Sequence, residues 1–266
     1  MSHIVIPGQD EEHLAEAVRR LREARHIAAL TGAGISVESG IPDFRSPGGV
    51  WTVFAPDEYA TIEAFLQDPD KAWRMYRALG REIAGKEPNA AHRALARLEE
   101  AGRLEAIVTQ NIDGLHQAAG SRNVLEIHGD GQRLQCIYCG WLGPMGDEHL
   151  VGEGAPACPR CRRPLKPNIV LFGEDVRDMA EIARAMARCD ALLVIGTSAQ
   201  VHPAAGLPEQ VHRRGGLIYE FNLGPTDLTR GQVGYWGCGA VSSDWLFQGP
   251  ATVTVPLVVD EVVGGE

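Results

Sequence analysis

The sequence predicts a doubly wound, mainly parallel α/β sheet that carries two appendages, a helical insertion and a small cysteine-rich lobe. Three observations lead there. Short apolar runs alternate with segments of helical periodicity along most of the 266 residues, the pattern of strands joined by crossover helices. Polar and glycine-rich clusters directly follow those runs, where open parallel sheets take their ligands. The alternation breaks over 133–166, where cysteines, glycines and prolines concentrate.

Leu14, Ala17, Val18 and Leu21 recur at helical spacing, so 11–25 reads as an amphipathic helix. Ile27-Ala28-Ala29-Leu30 is the first strand, and it feeds Gly32-Ala33-Gly34-Ile35-Ser36. Two glycines one residue apart let the backbone approach a pyrophosphate, and the amides opening the next element can face the anion. The full dinucleotide fingerprint is absent, because Val37 stands where a third glycine belongs and no second strand ending in an acidic residue follows. Residues 40–49 hold too many turn formers for a helix and read as a loop. The stretch 56–84 reads as helical, with Ile62, Phe65, Leu66, Trp73, Tyr76 and Leu79 apolar, and 89–101 forms a second helix stopped by Gly102. Strands are expected at Ala106-Ile107-Val108, Val124 to Ile127, Ile169-Val170-Leu171, Ala191 to Ile195 and Leu217 to Phe221. Helices are expected at 177–188 and 203–214.

Cys136-x-x-Cys139 and Cys158-x-x-Cys161 form two knuckles that can present four thiolates to one ion. Four thiolates complete a tetrahedral Zn²⁺ shell and leave no open position, so the ion is structural. Disulfides are the alternative, which a reducing compartment disfavours. Cys189 and Cys238 have no partner at ligand spacing and read as ordinary thiols.

Hydrophobic content of 44% and charged content of 23% are those of a globular protein. No apolar run is long enough to span a bilayer and the N-terminus has no signal-peptide pattern, so a cytoplasmic protein without a membrane partner is expected. A net charge of −10 with no basic stripe argues against nucleic acid, and the acidic surface favours basic, lysine-bearing protein segments.

Four stretches in this order resemble the sirtuins, the NAD-dependent protein lysine deacylases. They are the glycine loop with Phe44-Arg45, Thr109-Gln110-Asn111-Ile112-Asp113-Gly114-Leu115-His116, Glu126-Ile127-His128-Gly129, and Gly196-Thr197-Ser198 after the cysteine pairs. The resemblance implies a Rossmann-like NAD-binding domain (1–50, 88–132 and 167–266), a helical insertion (51–87) and a zinc-binding lobe (133–166). It also implies a reaction in which NAD is consumed, nicotinamide leaves, and the acyl group of an acetylated lysine in a protein substrate passes to ADP-ribose as O-acetyl-ADP-ribose.

His128 ends a strand at the expected ligand edge and titrates near neutrality, so it is the candidate base. In the resemblance it deprotonates a ribose hydroxyl, with Asn111 as its catalytic companion. Asn111 and Asp113 offer donors and acceptors at one strand end, either for a ligand or for capping the next helix. By resemblance Gln110 and Asn111 contact the nicotinamide ribose, and Ile112 and Asp113 line the nicotinamide pocket. Gly32, Gly34 and Ser36 belong to the nucleotide loop, where Ala33, Ile41, Asp43 and Phe44 match pocket positions. Phe44 shields the reactive ribose and Arg45 brings charge near the phosphates. Gly196, Thr197, Ser198, Asn222, Leu223 and Ser243 fall on the adenosine side. Val170, Phe172, Gly173 and Glu174, with Ala199-Gln200-Val201, resemble the two segments between which an extended peptide adds as a strand. Phe172 and Val201 would line the lysine tunnel. His92 and His116 fall in helical stretches and read as structural.

Two departures bear on specificity. Relatives that prefer acidic acyl groups carry a tyrosine and an arginine three residues apart; here Tyr76 is present and Leu79 replaces the arginine, which favours acetyl or longer apolar groups over succinyl or malonyl. Asp130 stands after His128-Gly129 where a small hydroxyl residue is usual. A mono-ADP-ribosyltransferase and a non-catalytic NAD or ADP-ribose sensor are the competing functions.

Overall fold

The computed structural model describes residues 2–43, 49–232 and 241–264; Phe44, Arg45 and Cys238 lie outside them. In chain order the elements are β1 (His3–Val5), α1 (Glu11–Glu23), β2 (Ile27–Thr31), α2 (Pro56–Tyr59), α3 (Ile62–Gln67), α4 (Pro69–Ile83), α5 (Ala90–Glu100), β3 (Leu104–Thr109), α6 (Leu115–Ala118), β4 (Val124–Glu126), β5 (Gly129–Gln135) and β6 (Leu142–Pro144). There follow α7 (Asp147–Val151), β7 (Lys166–Ile169), α8 (Met179–Arg188), β8 (Ala191–Ile195), α9 (Leu207–His212), β9 (Leu217–Asn222), β10 (Trp245–Gln248) and α10 (Ala251–Gly264).

Seven described strands form one sheet in the order β1-β10-β9-β8-β2-β3-β4, and each neighbouring pair is parallel. The two-residue period of its strands sorts them onto two faces. Ile27, Ala29, Leu193 and Ile195 pack against α1, α5 and α10, whereas Ala28, Leu30, Leu192 and Val194 pack against α8 and α9. From β2 the chain steps outward to β3 and β4, then returns to β8 on the other side of β2. That reversal opens a crevice at the carboxyl ends of β2 and β8, the place where doubly wound sheets bind ligands.

The expected long helix over 56–84 is three helices. Thr61 Oγ1 accepts the Ala64 amide at 3.0 Å and the Asp68 carboxylate accepts the Lys71 amide at 2.9 Å, so each capping side chain starts a new helix. Pro69 then occupies the first turn of α4. The strand expected at Ile169-Val170-Leu171 does not join the large sheet. It is β7, ending at Ile169, and it pairs antiparallel with β5 in a second sheet ordered β6-β5-β7. This sheet spans Gly129 to Ile169, a few residues beyond 133–166 on both sides.

The insertion and the cysteine-rich lobe share a core. Phe65, Trp73, Met75, Tyr76 and Leu79 pack with Leu134, Leu165, Ile169 and Leu171, and Trp73 Nε1 donates to the Leu165 carbonyl at 2.7 Å. Among the described residues no helix is long and apolar enough to cross a membrane.

Candidate active site

Neighbouring strands deliver two glycine turns to the crevice. The Gly34 amide donates to the Gly196 carbonyl at 2.8 Å, and the Gly32 amide to Ile195 at 3.0 Å. A Cβ on Gly34 would stand 2.6 Å from the Gly196 Cα, and one on Gly196, whose φ is +60°, would stand 2.3 Å from the Ile35 nitrogen. Glycine spacing here serves the packing of one turn on another. The expectation that the first amides face an anion fails for Gly34, and for Ile35, whose N–H goes to the Gly32 carbonyl at 3.1 Å.

A cavity of about 970 Å³ opens above these turns. Of the candidate residues, Gly32, Ala33, Gly34, Asp43, Gln110, Asn111, Ile112, His128, Val170, Phe172, Gly173, Glu174, Gly196, Thr197, Ser198, Val201, Asn222 and Leu223 line it. A side chamber is walled by Ala33, Ser36, Ile41, Asn111, Ile112 and Asp113, six residues that the resemblance assigns to the glycine loop and the nicotinamide end.

The wall of that chamber is a closed hydrogen-bond network. The Asn89 amide donates to His92 Nδ1 at 3.3 Å, so the neutral ring carries its proton on Nε2, which faces Ser36 Oγ at 3.4 Å. Asn111 Nδ2 also donates to Ser36 Oγ, at 3.2 Å, and to the Gly32 carbonyl at 3.1 Å. With two donors arriving, the Ser36 proton is directed to Asp113 Oδ2 at 2.7 Å. The other oxygen of Asp113 accepts the Leu115 amide at 3.0 Å, so its side chain bonds the first turn of α6 while it also walls the chamber. Burial raises the Asp113 pKa, opposed by these hydrogen bonds. Burial also pushes His92 down to about 4 and His116 down to about 3, keeping both neutral.

His128 occupies the turn between β4 and β5. Its Nδ1 lies 3.1 Å from the Gln110 carbonyl oxygen. A carbonyl only accepts, so Nδ1 carries the proton and Nε2 keeps its lone pair. Burial lowers the His128 pKa and the Gln110 bond partly restores it. Gly129 follows at φ +77°, where a Cβ would come within 2.1 Å of the Asn168 carbonyl. Asp130 takes up donors from the Gln132 amide (3.1 Å), Arg133 Nε (3.0 Å) and Asn168 Nδ2 (2.6 Å), which ties the histidine turn to β7.

Two candidates lie apart from both cavities. Ser243 is buried just ahead of β10, donating to Glu220 Oε2 at 2.9 Å with Ser2 Oγ a further 2.9 Å contact. Tyr76 faces the shared core, edge-on to Trp73 with ring centroids 5.7 Å apart, while Met75 and Leu79 of the same helix line the cavity. Nor do the neighbouring arginines reach it: Arg77 Nε donates to the His149 carbonyl at 3.0 Å and Arg81 to that of Leu150 at 3.1 Å. The sequence reading missed Ala60, Ile169, His202, Thr226 and Gly249-Pro250-Ala251 in the lining. The last could have been found, since Trp245-Leu246-Phe247 followed by Gly-Pro marks another strand end.

The sulfurs of Cys136, Cys139, Cys158 and Cys161 lie within 4.8 Å of one another. Cys136 to Cys161 is 3.4 Å and Cys139 to Cys158 is 3.7 Å. A disulfide is about 2.05 Å, whereas a tetrahedron of Zn–S bonds of about 2.3 Å has edges of about 3.8 Å. The cluster therefore fits one structural zinc with no open position. Cys189 is buried and donates to the Ala191 carbonyl at 3.2 Å.

The model of the Sir2 family matches residues 32–203. An NAD-dependent protein deacylase of Thermococcus kodakarensis is 44% identical over 81% of this chain and 87% of the relative. One from Thermus thermophilus is 44% identical over 82% and 87%. Among solved structures, a complex of a Sir2 homolog with NAD superposes with a TM-score of 0.83 at 37% identity, covering 93% of both chains. A complex of Sir2 with a p53 peptide and NAD⁺ gives 0.81 at 33%, covering 93% of this chain and 98% of the other. With the crevice, the histidine turn and the four-cysteine lobe arranged on this sheet, the chain belongs to the Sir2 family.

Proposed function

We propose that the protein is an NAD-dependent protein lysine deacetylase, releasing nicotinamide and O-acetyl-ADP-ribose. The observation that carries this is the tautomer of His128: a neutral imidazole, locked by the Gln110 carbonyl, offers Nε2 as a base at the rim of the cavity. NAD, when bound, supplies the ribosyl carbon that accepts the acyl oxygen as nicotinamide departs. In this reading the side chamber receives the carboxamide, for which Asn111 keeps its Oδ1 and Asp113 the remaining lone pairs of a carboxylate that Ser36 holds in orientation. His128 Nε2 takes the proton of a ribose hydroxyl. Its Nδ1–H stays on the Gln110 carbonyl, so the imidazolium forms without the ring turning. Thr197 and Asn222 order the adenosine side, since Gln110 Nε2 donates to Thr197 Oγ1 at 2.9 Å and Asn222 Nδ2 to the Thr197 carbonyl at 3.1 Å. Val170, Phe172, Gly173, Glu174 and Val201 receive the acetylated peptide.

Incubation of the purified protein with NAD⁺ and an acetyl-lysine peptide, with products identified by mass, tests this. Nicotinamide together with O-acetyl-ADP-ribose supports deacetylation; ADP-ribose attached to protein supports the transferase instead, and unreacted NAD⁺ the sensor. Zinc held by thiolates is suited to a reducing compartment, which supports a cytoplasmic location.

A further inference from the structure

We infer that Lys166 is a positioning residue for the acyl-lysine substrate, acting through Glu174; this rests on the deacetylase reading above. Lys166 is fully buried at the start of β7, an unusual place for an ammonium group. Its three N–H donors meet three oxygens: Glu174 Oε2 at 2.9 Å, the Ile169 carbonyl, and the Pro167 carbonyl at 3.5 Å. The same Glu174 oxygen accepts the Leu171 amide at 2.8 Å, while the Glu174 amide returns to the Leu171 carbonyl at 3.0 Å. The chain thus wraps from 166 to 174 around its own lysine.

What is wrapped is the segment assigned to the peptide. Its first residue, Val170, donates its amide to the His128 carbonyl at 2.8 Å. In the middle, Phe172 has both backbone groups engaged by the insertion: its amide donates to Ala60 at 2.9 Å and its carbonyl accepts the Ile62 amide at 3.0 Å. At the far end, where Gly173 and Glu174 line the cavity, the Lys166 ion pair holds the Glu174 carboxylate in place for its bond to the Leu171 amide. A buried ion pair is a weak source of stability, often matched by apolar residues of the same size. What it supplies here is one conformation for the substrate-facing end of the loop, so an extended peptide meets a preformed edge.

The test compares wild type, K166M, E174Q and the double variant in steady-state deacetylation at saturating NAD⁺, with zinc content and ADP-ribose affinity measured beside it. K166M is expected to raise the KM for an acetyl-lysine peptide by about tenfold or more, while kcat, ADP-ribose affinity and one zinc per chain are kept. If Lys166 acts through Glu174, the double variant has the KM of the worse single variant. A folded K166M with wild-type peptide KM, changed only in melting temperature, overturns the inference, as do effects that multiply in the double variant. Should K166M fail to fold, K166Q decides in its place: a raised peptide KM with ADP-ribose affinity and zinc kept supports the inference and a wild-type value overturns it. Wild-type protein that releases no nicotinamide with the peptide present refutes the deacetylase reading instead.

Discussion

The parallel sheet and the three-stranded sheet bury themselves by different means. All five residues of β2 and all five of β8 are buried, sandwiched between helices on both faces. The smaller sheet has no such cover: β6 is mostly exposed, with Leu142 46% accessible, and the buried side of β5 rests on Trp73 and its neighbours from the insertion. One region is covered by helices of its own on both faces, the other by a borrowed helix layer and four sulfurs set for a metal. The difference teaches where the adaptable parts of the site are. In the proposed reading the nucleotide turns issue from the self-supporting sheet, whereas the peptide segment and the acyl end of the cavity belong to the region with the four-sulfur cluster.

Removing that metal separates the two regions most strongly. In small modules structural zinc contributes about 10–16 kcal/mol of folding free energy, so Cys158→Ala or a strong chelator is expected to open the lobe and abolish deacetylation. The parallel sheet and ADP-ribose binding persist. Zinc release, far-UV circular dichroism and calorimetry followed together check this, and a single cooperative loss of all three signals would break the comparison.

His128 lies at the joint between the regions, and its replacement sharpens the contrast from the other side. His128→Ala should cost about 10²–10⁴ in deacetylation rate, with zinc and most of the NAD⁺ affinity retained. Turnover close to wild type would remove it from the role of base.

A smaller effect is expected at the proposed acyl end, where Met75 and Leu79 present hydrocarbon and Arg77 and Arg81 are turned to the carbonyls of His149 and Leu150. A buried unpaired charge costs several kcal/mol, so succinyl-lysine peptides should react at least about 10²-fold more slowly than acetyl-lysine peptides by kcat/KM. Since Tyr76 faces the core, Leu79→Arg is expected to narrow the gap without reversing it. Equal rates on the two peptides with unmodified protein would refute the assignment of the acyl end to these residues.

Acid distinguishes the regions more gently. His92 faces Ser36 in the chamber wall and His116 Nε2 bonds Thr31 Oγ1 on β2 at 2.9 Å, and both have folded pKa values well below the ordinary 6.5. Between those values and 6.5 the unfolded chain binds more protons, so stability is complete above pH 6.5 and declines as pH falls toward about 4. For His92 alone the loss amounts to about 3 kcal/mol. Chemical denaturation at pH 7.5 and at pH 5, compared with His92→Gln, checks it, and a pH-independent midpoint would count against the buried neutral histidines.

Much of this was legible in the residues. The five-residue strands at 27 and 191 could be read because continuous apolar runs between turn formers have few other outcomes. The cysteine spacing read directly as a tetrahedral cage, and the glycine loop, Asn111, His128 and Gly196 met in one crevice. What escaped the reading depended on distant partners. α10 is rich in β-branched valines and contains Pro256, a poor local case for a helix that burial against α1 and α5 overrides. The run at 169–171 looks like any other buried strand, and only the pairing of β7 with β5 assigns it to the second sheet. Tyr76 and Leu79 lie three apart on one helix and share its core, yet of the two Leu79 alone also lines the cavity, a matter of helix rotation that spacing does not fix.

The packing of Gly34 against Gly196 has a consequence for the order of events in folding. The two residues are separated by most of the chain, so the crevice does not exist until β8 has docked beside β2, a contact of long sequence separation and slow closure. A growing chain that has already produced the glycine loop, the histidine turn and all four zinc ligands still has no floor for a nucleotide. Nucleotide therefore recognises only the finished sheet, and its presence raises the population of that state by mass action.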